Sequence, residues 1–354
     1  MQKKINIGII GAGNVAKHYL KIFNKGTLEN YSIKSVCDLN IKSAKTLSEE
    51  IGCRYFGSIE EMLSEVNLDL ALVLTPSGHH YKHAKLCLEN NINVLVEKPV
   101  SNFPAQAQEL EKIAKSKNKL IAVAFQNRLN PSIAALKKAI DRDRLGKIVT
   151  STIRIRWCRY QNYYNDDWHG TWALDGGVIN QQAIHHIDVL NWLIGPIEKV
   201  CSLAGNQLNK LEAEDTLVAI MKFKNGALGT IEATTAARPK DYEASLSVVG
   251  EKGLVVIGGI ALNKIEMWNF VDPIPEDKFI PDECSVDVPS GYGLSHEKLL
   301  EIVINNLSKN SNKSPVEIKG CIETCELIHA LYSSNEKNNW VYLKDKPLSN
   351  LLGR

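Results

Sequence analysis

The sequence has 354 residues, of which 44% are hydrophobic and 23% charged, which is typical of a soluble globular protein with room for two domains. A net charge of +2, from 42 basic and 40 acidic side chains, gives no indication of nucleic acid or an anionic membrane as the main partner. No apolar run approaches the roughly 20 residues of a membrane span, and no signal-peptide pattern is present. Eight scattered cysteines without a Cys-x-x-Cys pair predict free thiols, a cytoplasmic location and no metal site.

The chain opens on a nucleotide-binding pattern. Residues 5–10 form an apolar run that predicts a buried parallel strand, and Gly11-Ala-Gly13-Asn14-Val15-Ala16 follows before a helical pattern. The first glycine makes the turn, the second lets the backbone approach a pyrophosphate, and Ala16 permits close packing of helix on strand. The phosphates are expected at the helix N-terminus.

A second predicted strand, residues 33–37, ends at Asp38. An acidic residue at this distance from the glycines binds the ribose hydroxyls in dinucleotide-binding folds. Its charge repels a 2′-phosphate, so the sequence favours NAD over NADP. An ordinary turn aspartate is the alternative interpretation.

Strand and helix patterns then alternate up to residue 125, which predicts an α/β domain with a doubly wound parallel sheet. The predicted strands are residues 70–74, 94–96 and 120–125, and the predicted helices are residues 59–66, 81–89 and 105–115. Asp38, Thr75-Pro76, Glu97-Lys98 and Gln126 all follow strands. Ligands bind outside the carboxyl ends of such strands, so these side chains are expected at one ligand-binding edge.

Lys98 is a cation at the end of a buried strand, and the following proline restricts it to an extended conformation. It is placed to hold a substrate hydroxyl and stabilise a developing alkoxide. Pairing with Glu97 or with solvent is the alternative.

Residues 126–354 form the second predicted domain, of α+β type with a large, mostly antiparallel open sheet. From residue 149 the apolar period is two, and the turns at Asn225-Gly226 and at residues 250–253 predict hairpins. Helices are expected at residues 132–140, 297–307 and 318–331. One face of such a sheet is exposed, which favours a homo-oligomer, a dimer or tetramer, formed through it.

Residues 168–188 carry the second set of candidate catalytic side chains. Gly176-Gly177 permits close approach of backbone to a ligand. Gln181, His185 and Asp188 are spaced to share one face of the helix that follows. A neutral imidazole at His185 accepts a proton near neutral pH, although a surface histidine with an acidic neighbour is an equal alternative on this stretch alone.

Arginines and aromatic residues are frequent just before this helix. Arg156 and Arg159 have the fork geometry that suits carboxylates and pyrophosphates, and Arg238 is a more remote candidate. Aromatic side chains stack on sugar or uracil faces. These are Trp157, Tyr163, Tyr164, Trp168 and Trp172. Packing between domains is the alternative for each of them.

Together these motifs resemble the glucose–fructose oxidoreductase, inositol dehydrogenase and MocA family, over nearly the whole chain. The resemblance rests on Gly11-x-Gly13-x-x-Ala16, Asp38, Thr75-Pro76, Glu97-Lys98-Pro99 and the helix with His185 and Asp188. The family's second-domain pattern is Asp-x-x-x-His, and this chain has Gln181 at the aspartate position. A glutamine accepts a hydrogen bond but does not stabilise an imidazolium as a charge does.

Within the family, the segments 126–128, 157–159, 168–177 and 180–185 are most similar to UDP-N-acetylglucosaminuronate 3-dehydrogenases of bacterial surface polysaccharide synthesis. The resemblance implies NAD-dependent oxidation of the sugar C3 hydroxyl to a ketone, with Lys98 and His185 catalytic and 2-oxoglutarate a possible reoxidant. The candidate cofactor-binding residues are Gly11, Gly13, Asn14, Val15, Asp38, Thr75, Pro76, His80, Glu97, Lys98 and Gln126. The candidate substrate-binding residues are Lys98, Arg156, Arg159, Tyr164, Trp168, Asn180, Gln181 and His185.

Two other functions are compatible with the sequence. One is a dehydrogenase of a free sugar or inositol in the same family. The other is a dinucleotide sensor without catalysis, against which the retention of both Lys98 and His185 argues.

Overall fold

A computed structural model of the chain describes residues 3–354, which divide into two compact units. The first unit comprises residues up to 125 together with 296–322, and the second comprises residues 126–295 and 323–354. The sequence predicted a single division after residue 125. The structure differs in assigning residues 296–322 to the first unit.

Fourteen strands and eleven α-helices, numbered in chain order, are found among the described residues. The strands are β1 (Ile5–Ile10), β2 (Tyr31–Cys37), β3 (Arg54–Phe56), β4 (Leu70–Val73), β5 (Asn93–Val96), β6 (Ile121–Val123), β7 (Ile148–Arg156), β8 (Ile197–Gly205), β9 (Thr216–Phe223), β10 (Leu228–Thr234), β11 (Glu243–Gly250), β12 (Gly253–Gly258), β13 (Lys264–Phe270) and β14 (Val341–Tyr342). The helices are α1 (Asn14–Phe23), α2 (Ile41–Ile51), α3 (Ile59–Glu65), α4 (His80–Glu89), α5 (Pro104–Ser116), α6 (Pro131–Asp141), α7 (Val178–Gln181), α8 (Ile184–Ile194), α9 (Ile280–Glu283), α10 (Ser295–Ser308) and α11 (Ile318–Lys337). None of these helices has the length and apolar character needed to cross a membrane.

The first unit contains a six-stranded sheet in the order β3-β2-β1-β4-β5-β6, with every neighbouring pair parallel. All residues of β4 and β5 are buried, as expected for central strands covered on both faces. The predicted doubly wound parallel sheet is confirmed. α2 and β3 had no counterpart in the sequence prediction, because the apolar residues of this segment are few and β3 has only three residues.

α10 packs against the first unit although it comes late in the chain. Its apolar side chains Leu299, Leu300 and Val303 are fully buried. Glu297 receives hydrogen bonds of 2.6 Å from the Lys25 ammonium and from the hydroxyl of Thr27. These contacts explain why residues 296–322 belong to the first unit.

The second unit contains an eight-stranded sheet in the order β13-β12-β11-β7-β10-β9-β8-β14. Its neighbours are antiparallel except for β7 and β10, which are parallel. The predicted open, mostly antiparallel sheet is confirmed, as are the hairpins β9–β10 and β11–β12. β8, β13 and β14 were not predicted.

The two faces of this sheet have different surroundings. On β7, Ile153 and Ile155 are fully buried, and α8 packs against this strand. The opposite face bears exposed apolar side chains, among them Leu203 and its cross-strand partner Val218, 67% and 51% exposed. Homo-oligomer formation through this face stays a prediction.

The helix α8 is attached to its unit by a buried ion pair. The Arg128 guanidinium donates two hydrogen bonds to the Asp188 carboxylate, at 2.7 and 2.6 Å, and the Thr324 hydroxyl donates a third at 2.9 Å. Asp188 is fully buried and Arg128 nearly so. Asp188 therefore serves as the counter-ion of Arg128 within the unit.

We predict that Asp188→Asn destabilises the protein by about 3–5 kcal/mol, because it leaves the buried Arg128 guanidinium without a counter-charge. Denaturant unfolding of the full chain measures this loss. Asp141→Asn is the matched control, because Asp141 pairs with Lys137 at an exposed helix surface and such pairs contribute about 0–1 kcal/mol. A loss below about 1 kcal/mol in Asp188→Asn contradicts the prediction.

Candidate functional site

The turn between β1 and α1 is open toward solvent at the position where a dinucleotide phosphate binds. Gly11 has φ +99°, and a Cβ there lies 2.7 Å from the carbonyl oxygen of Leu74, so only glycine fits. At Gly13 no atom lies within 4 Å of such a Cβ. No side chain caps the N-terminus of α1. With Asn14 exposed and Val15 half-buried, the turn leaves the helix N-terminus accessible to an anion.

Asp38 fastens this turn to the end of β2. Its carboxylate accepts hydrogen bonds of 2.7 Å from the backbone N–H groups of Ala12 and Asn40. The structure therefore places Asp38 beside the glycine turn, where the fingerprint requires an acidic residue. Its contact with ribose hydroxyls stays a prediction.

The ends of β4 and β5 are connected through histidines. The Thr75 hydroxyl lies 3.0 Å from Nδ1 of His83. The ring of His80, buried at the start of α4, lies 2.7 Å from the carbonyl oxygens of both Thr75 and Pro99. Thr75 and Pro76 are half-buried, so this turn is partly open to a ligand.

Glu97 is a buried carboxylate next to the half-buried Lys98. The Tyr19 hydroxyl donates to its Oε1 at 3.0 Å, Nε2 of His296 lies 3.7 Å from the same atom, and the Lys98 N–H donates to Oε2 at 3.3 Å. Burial favours the neutral acid, but His296, through a hydrogen bond and its charge, and nearby Lys98 hold the pKa of Glu97 below its usual value. An anionic Glu97 thus adjoins the candidate catalytic lysine.

Gln126, at the start of the second unit, is 1% exposed, and its Oε1 atom has no hydrogen-bond donor among residues 3–354. A buried amide oxygen without a donor costs free energy. A bound molecule with a donor group removes that cost. Gln126 therefore has the property expected of a ligand contact, and the open glycine turn of the first unit fits the pyrophosphate of NAD.

In the second unit, the Gly176-Gly177 turn lies against a buried acid. A Cβ on Gly177 would be 2.1 Å from Oε2 of Glu214, so this position requires glycine for close approach. Glu214 accepts hydrogen bonds of 3.1 Å from the Ile179 N–H and from the hydroxyl of Tyr332. The same hydroxyl accepts from the Gly177 N–H at 3.0 Å. Glu214 and Tyr332 together fix the turn and the start of α7.

A second buried carboxylate, Asp175, holds the side chain of Gln181. The amide of Gln181 donates to Oδ1 of Asp175 at 2.5 Å, and the Gly170 N–H donates to Oδ2 at 3.0 Å. Asn180 donates to the Asp175 carbonyl oxygen at 2.6 Å. Gln181, at the position of the family's aspartate, is therefore anchored to a carboxylate six residues earlier in the chain.

The three residues predicted to share one helical face, Gln181, His185 and Asp188, do not lie on one continuous helix. α7 ends at Gln181, and the Ala183 N–H donates to the carbonyl oxygen of Val178, five residues back, before α8 begins. This wider turn rotates the later residues about the helix axis relative to the earlier ones. His185 is half-buried, whereas Asp188 faces Arg128.

Arg156 does not share the environment of α8. It follows Ile153 and Ile155 in the alternation of β7 and lies on the opposite face of the sheet, where its guanidinium binds Glu232 at 2.7 and 3.0 Å. Strand parity therefore places Arg156 away from the helix with His185. The prediction that it binds substrate was based on residue type alone.

Arg159 remains near the aromatic residues of the second unit. Its guanidinium carbon lies 5.4 Å from the ring centre of Trp157 and 5.6 Å from that of Tyr163, and it donates to Asp241 at 2.9 Å. Burial, with the charge of Asp175 adding to it, raises the pKa of Tyr163. The Arg159 guanidinium packs near two aromatic rings, an arrangement that suits an arginine that binds a planar anion.

Tyr164 and Trp168 have internal contacts. The Tyr164 hydroxyl is 2.7 Å from that of Thr235 in a buried pair, so Tyr164 packs in the interior of the second unit. Trp168 is half-buried and stacks on His169 with ring centres 3.6 Å apart. Whether either touches substrate stays a prediction.

Sequence reasoning gave no role to Asp175, Glu214 or His296. Asp175 lies in the Ala-Leu-Asp-Gly-Gly segment, but no spacing rule links it to Gln181. Glu214 and His296 act on Gly177 and Glu97 across long stretches of chain. The sequence gives one indication for Glu214, because it is an acidic residue just before the largely apolar strand β9. No cluster of metal-ligating residues is found in the part of the chain described here.

A parallel sheet with a glycine turn and a strand-end aspartate defines a dinucleotide-binding protein. Residues 5–125 match the oxidoreductase family with an NAD-binding Rossmann fold, GFO/IDH/MocA, and residues 133–256 match the GFO/IDH/MocA C-terminal domain. The chain belongs to the GFO/IDH/MocA family of oxidoreductases and uses NAD as its cofactor.

Solved structures agree over almost the full length. The WlbA dehydrogenase from Bordetella pertussis, in complex with NADH and UDP-GlcNAcA, is 31% identical, with a TM-score of 0.91 over 96% of this chain and 98% of that chain. The WlbA enzyme from Chromobacterium violaceum, with the same two ligands, is also 31% identical, with a TM-score of 0.89 over 97% and 96% of the two chains. D-glucoside 3-dehydrogenase of Escherichia coli (strain K12) is 26% identical, covering 70% of this chain and 75% of the relative.

We predict that Glu214 makes stability decrease with rising pH. Burial raises the pKa of Glu214 from 4.5 to about 8, and the nearby charge of Asp175 acts in the same direction. Between these two values the folded protein binds a proton that the unfolded chain has lost. The free energy of unfolding therefore falls as pH rises through this window, by at most about 1.4 kcal/mol per pH unit.

Glu214→Gln mimics the protonated acid and should remove this slope between pH 5 and 8. Glu212→Gln is the matched control, since Glu212 is an exposed carboxylate two residues away. Urea unfolding at several pH values measures both. Equal slopes in wild type and Glu214→Gln contradict the prediction.

Proposed function

We propose that this protein oxidises the C3 hydroxyl of UDP-N-acetylglucosaminuronate to a ketone with NAD. The observation that carries the proposal is the 31% identity, over nearly the full length of both chains, to a WlbA dehydrogenase bound to NADH and UDP-GlcNAcA. The name of the Escherichia coli relative also specifies a 3-dehydrogenase. The proposed sugar is a precursor for surface polysaccharide, made in the cytoplasm.

The reaction divides between cofactor and protein. NAD, when bound, accepts the hydride from the sugar carbon, while the protein orients the substrate and accepts the proton of its hydroxyl group. In the proposed mechanism the Lys98 ammonium hydrogen-bonds the C3 oxygen and stabilises its developing negative charge. His185 takes the hydroxyl proton as general base.

The surroundings of both residues support these roles. Lys98 is half-buried and follows the anionic Glu97, whose carboxylate accepts the Lys98 N–H, so the turn that carries it is held in place. His185 follows α7, whose start is fixed by Glu214 and Tyr332. We propose that Gln181, anchored on Asp175, supports His185 in place of the family's aspartate.

Recognition of the acid is assigned to Arg159. Its guanidinium lies near two aromatic rings and has donors beyond those used for Asp241 and the Cys158 carbonyl. An arginine fork binds a carboxylate with two parallel hydrogen bonds. Trp168 offers a half-buried ring for stacking on the sugar or the uracil.

A free polyol is the second candidate substrate. It is favoured by the curated relatives: a myo-inositol 2-dehydrogenase of Thermotoga maritima is 23% identical over 71% of this chain and 74% of its own length. Turnover of inositols or hexoses without any UDP-sugar activity would decide for this alternative. Reoxidation of the cofactor by 2-oxoglutarate is proposed for the UDP-sugar reaction and not for the free-polyol alternative.

We predict that Lys98→Met and His185→Asn each lower kcat by roughly 10²-fold or more while NAD affinity stays close to that of the wild type. Steady-state kinetics and calorimetric titration with NAD measure the two effects. Lys115→Met is the matched control, since Lys115 is an exposed lysine paired with Glu111 on α5. Near-normal turnover in either variant removes that residue from the mechanism.

We predict that UDP-N-acetylglucosamine, which lacks the carboxylate, is turned over far more slowly than UDP-N-acetylglucosaminuronate. An arginine left without its partner in a desolvated site costs about 1–3 kcal/mol, or roughly 5- to 150-fold in kcat/KM. Absorbance of reduced nicotinamide and product mass follow the reaction, with and without 2-oxoglutarate.

Arg159→Lys should reduce the preference for the acid, because an ammonium lacks the planar fork. Arg154→Lys is the control, since Arg154 pairs with Glu232 and Glu243 on the other face of the sheet. Equal rates with both sugars in the wild type contradict recognition of the acid. Absence of a 3-keto product from any UDP-sugar contradicts the proposed function.

A further inference from the structure

His80 makes an unusual pair of contacts at the ligand edge of the first unit. It is the first residue of α4 and is 1% exposed. Its Nδ1 atom lies 2.7 Å from the carbonyl oxygen of Pro99, and its Nε2 atom lies 2.7 Å from that of Thr75. Both are short distances for hydrogen bonds from a ring nitrogen to oxygen.

The identity of the two partners decides the protonation of the ring. A carbonyl oxygen accepts hydrogen bonds and cannot donate one. A neutral imidazole has a single N–H, so at one of its nitrogens it would hold a lone pair against a carbonyl lone pair at 2.7 Å. Only an imidazolium, which has two N–H groups, donates to both oxygens.

We propose that His80 is an imidazolium at neutral pH that clamps the turn after β4 to the turn after β5. Through the Pro99 carbonyl it acts as a positioning residue for Lys98, the residue immediately before Pro99. We call the contacts of His80 with Thr75 and Pro99 the His80 clamp. The protonation state is independent of the proposed function, whereas the positioning role depends on it.

The charges around the ring provide a counter-ion. Burial acts most strongly on His80 and, together with Lys98, holds its pKa below the usual value, although the two carbonyl acceptors and the Glu97 carboxylate raise it. The two 2.7 Å contacts with carbonyl oxygens, each of which needs an N–H, nevertheless require the imidazolium. Glu97 is itself kept ionised by His296 of α10, with the pKa of its carboxyl below the usual value. The ring therefore lies in the field of a buried anion, which offsets part of the cost of burying its own charge.

Three other histidines nearby, His83, His79 and His18, do not supply this charge. His83, one turn along α4, has its pKa lowered to about 4 by burial first and then by His79 and His80, so it is neutral at neutral pH. His79 is exposed. Burial and His296 likewise lower the pKa of His18 to about 4.

Loss of the proton has a direct structural consequence. With one nitrogen bare, one of the two contacts must lengthen, and either the Thr75 or the Pro99 turn is released. Both turns contain candidate cofactor contacts, and the second carries Lys98. The clamp therefore links the two strand ends in a way that a neutral side chain of the same size cannot.

The protonation state is tested on the full-length wild-type protein without cofactor, labelled with ¹⁵N in the histidine rings. Of the nine histidines, exposed ones lose their extra proton near pH 6.5. We expect at least one ring, that of His80, to retain the imidazolium pattern, with both nitrogens protonated, at pH 8. Absence of any imidazolium signal at pH 8 overturns the proposal without the need for a variant.

His80→Asn tests whether the imidazolium signal belongs to His80 and whether His80 positions Lys98. His79→Asn is the matched control, because it is the same substitution at the exposed neighbouring residue. The persistent imidazolium signal should vanish in the first and remain in the second. His80→Gln serves as a second variant for assignment. If the signal survives in both His80 variants, it belongs to another histidine and the proposal is overturned.

For positioning, we expect His80→Asn to lower kcat at least 10-fold on UDP-N-acetylglucosaminuronate, with a smaller effect on the KM for substrate. Unchanged kcat overturns the positioning role. If the wild type turns over no UDP-sugar, the proposed function fails, whereas the ring-nitrogen signals still decide the protonation state of His80.

Discussion

The close approach of Gly177 to Glu214 is the constraint on which the candidate site of the second unit depends. Because Glu214 occupies the space of a Cβ, the backbone of the turn lies directly on the carboxyl group, which accepts the Ile179 N–H and the Tyr332 hydroxyl. This contact sets where α7 starts. The positions of Gln181 and His185 follow from it. Glu214 therefore helps to position these two side chains although it takes no part in the proposed reaction.

Each unit has a buried glutamate near its candidate site residues, Glu97 in the first and Glu214 in the second. The pKa of one is lowered and the pKa of the other is raised. Glu97 is surrounded by His296, Lys98 and His80, and these partners outweigh burial, so its pKa is lowered. The donors to Glu214 are backbone N–H groups and a neutral hydroxyl, with Asp175 nearby, so burial dominates and its pKa is raised. One acid thus supplies fixed negative charge, and the other is a neutral packing element.

Local patterns predicted the fold well. The glycine turn, Asp38 and the strand-end positions of Thr75 and Lys98 follow from residues adjacent in sequence, and the hairpin at Asn225-Gly226 follows from turn chemistry. The site was less predictable. The break between α7 and α8 separates Gln181 from the helix that carries His185, and the sequence does not reveal this break. The alternation of β7 places Arg156 on the face of the sheet opposite to α8, which residue type alone does not indicate.

The late position of α10 in the chain affects how the first unit comes to be assembled during synthesis. The sheet of this unit is complete by residue 125, but the helix that buries Leu299 and Leu300 and brings His296 to Glu97 emerges from the ribosome some 170 residues later, at about 5–20 residues per second. Until then the nascent cofactor domain lacks the apolar side chains of α10 and the contact of His296 with Glu97. The dinucleotide domain of this protein is therefore finished only after most of the second unit has been translated.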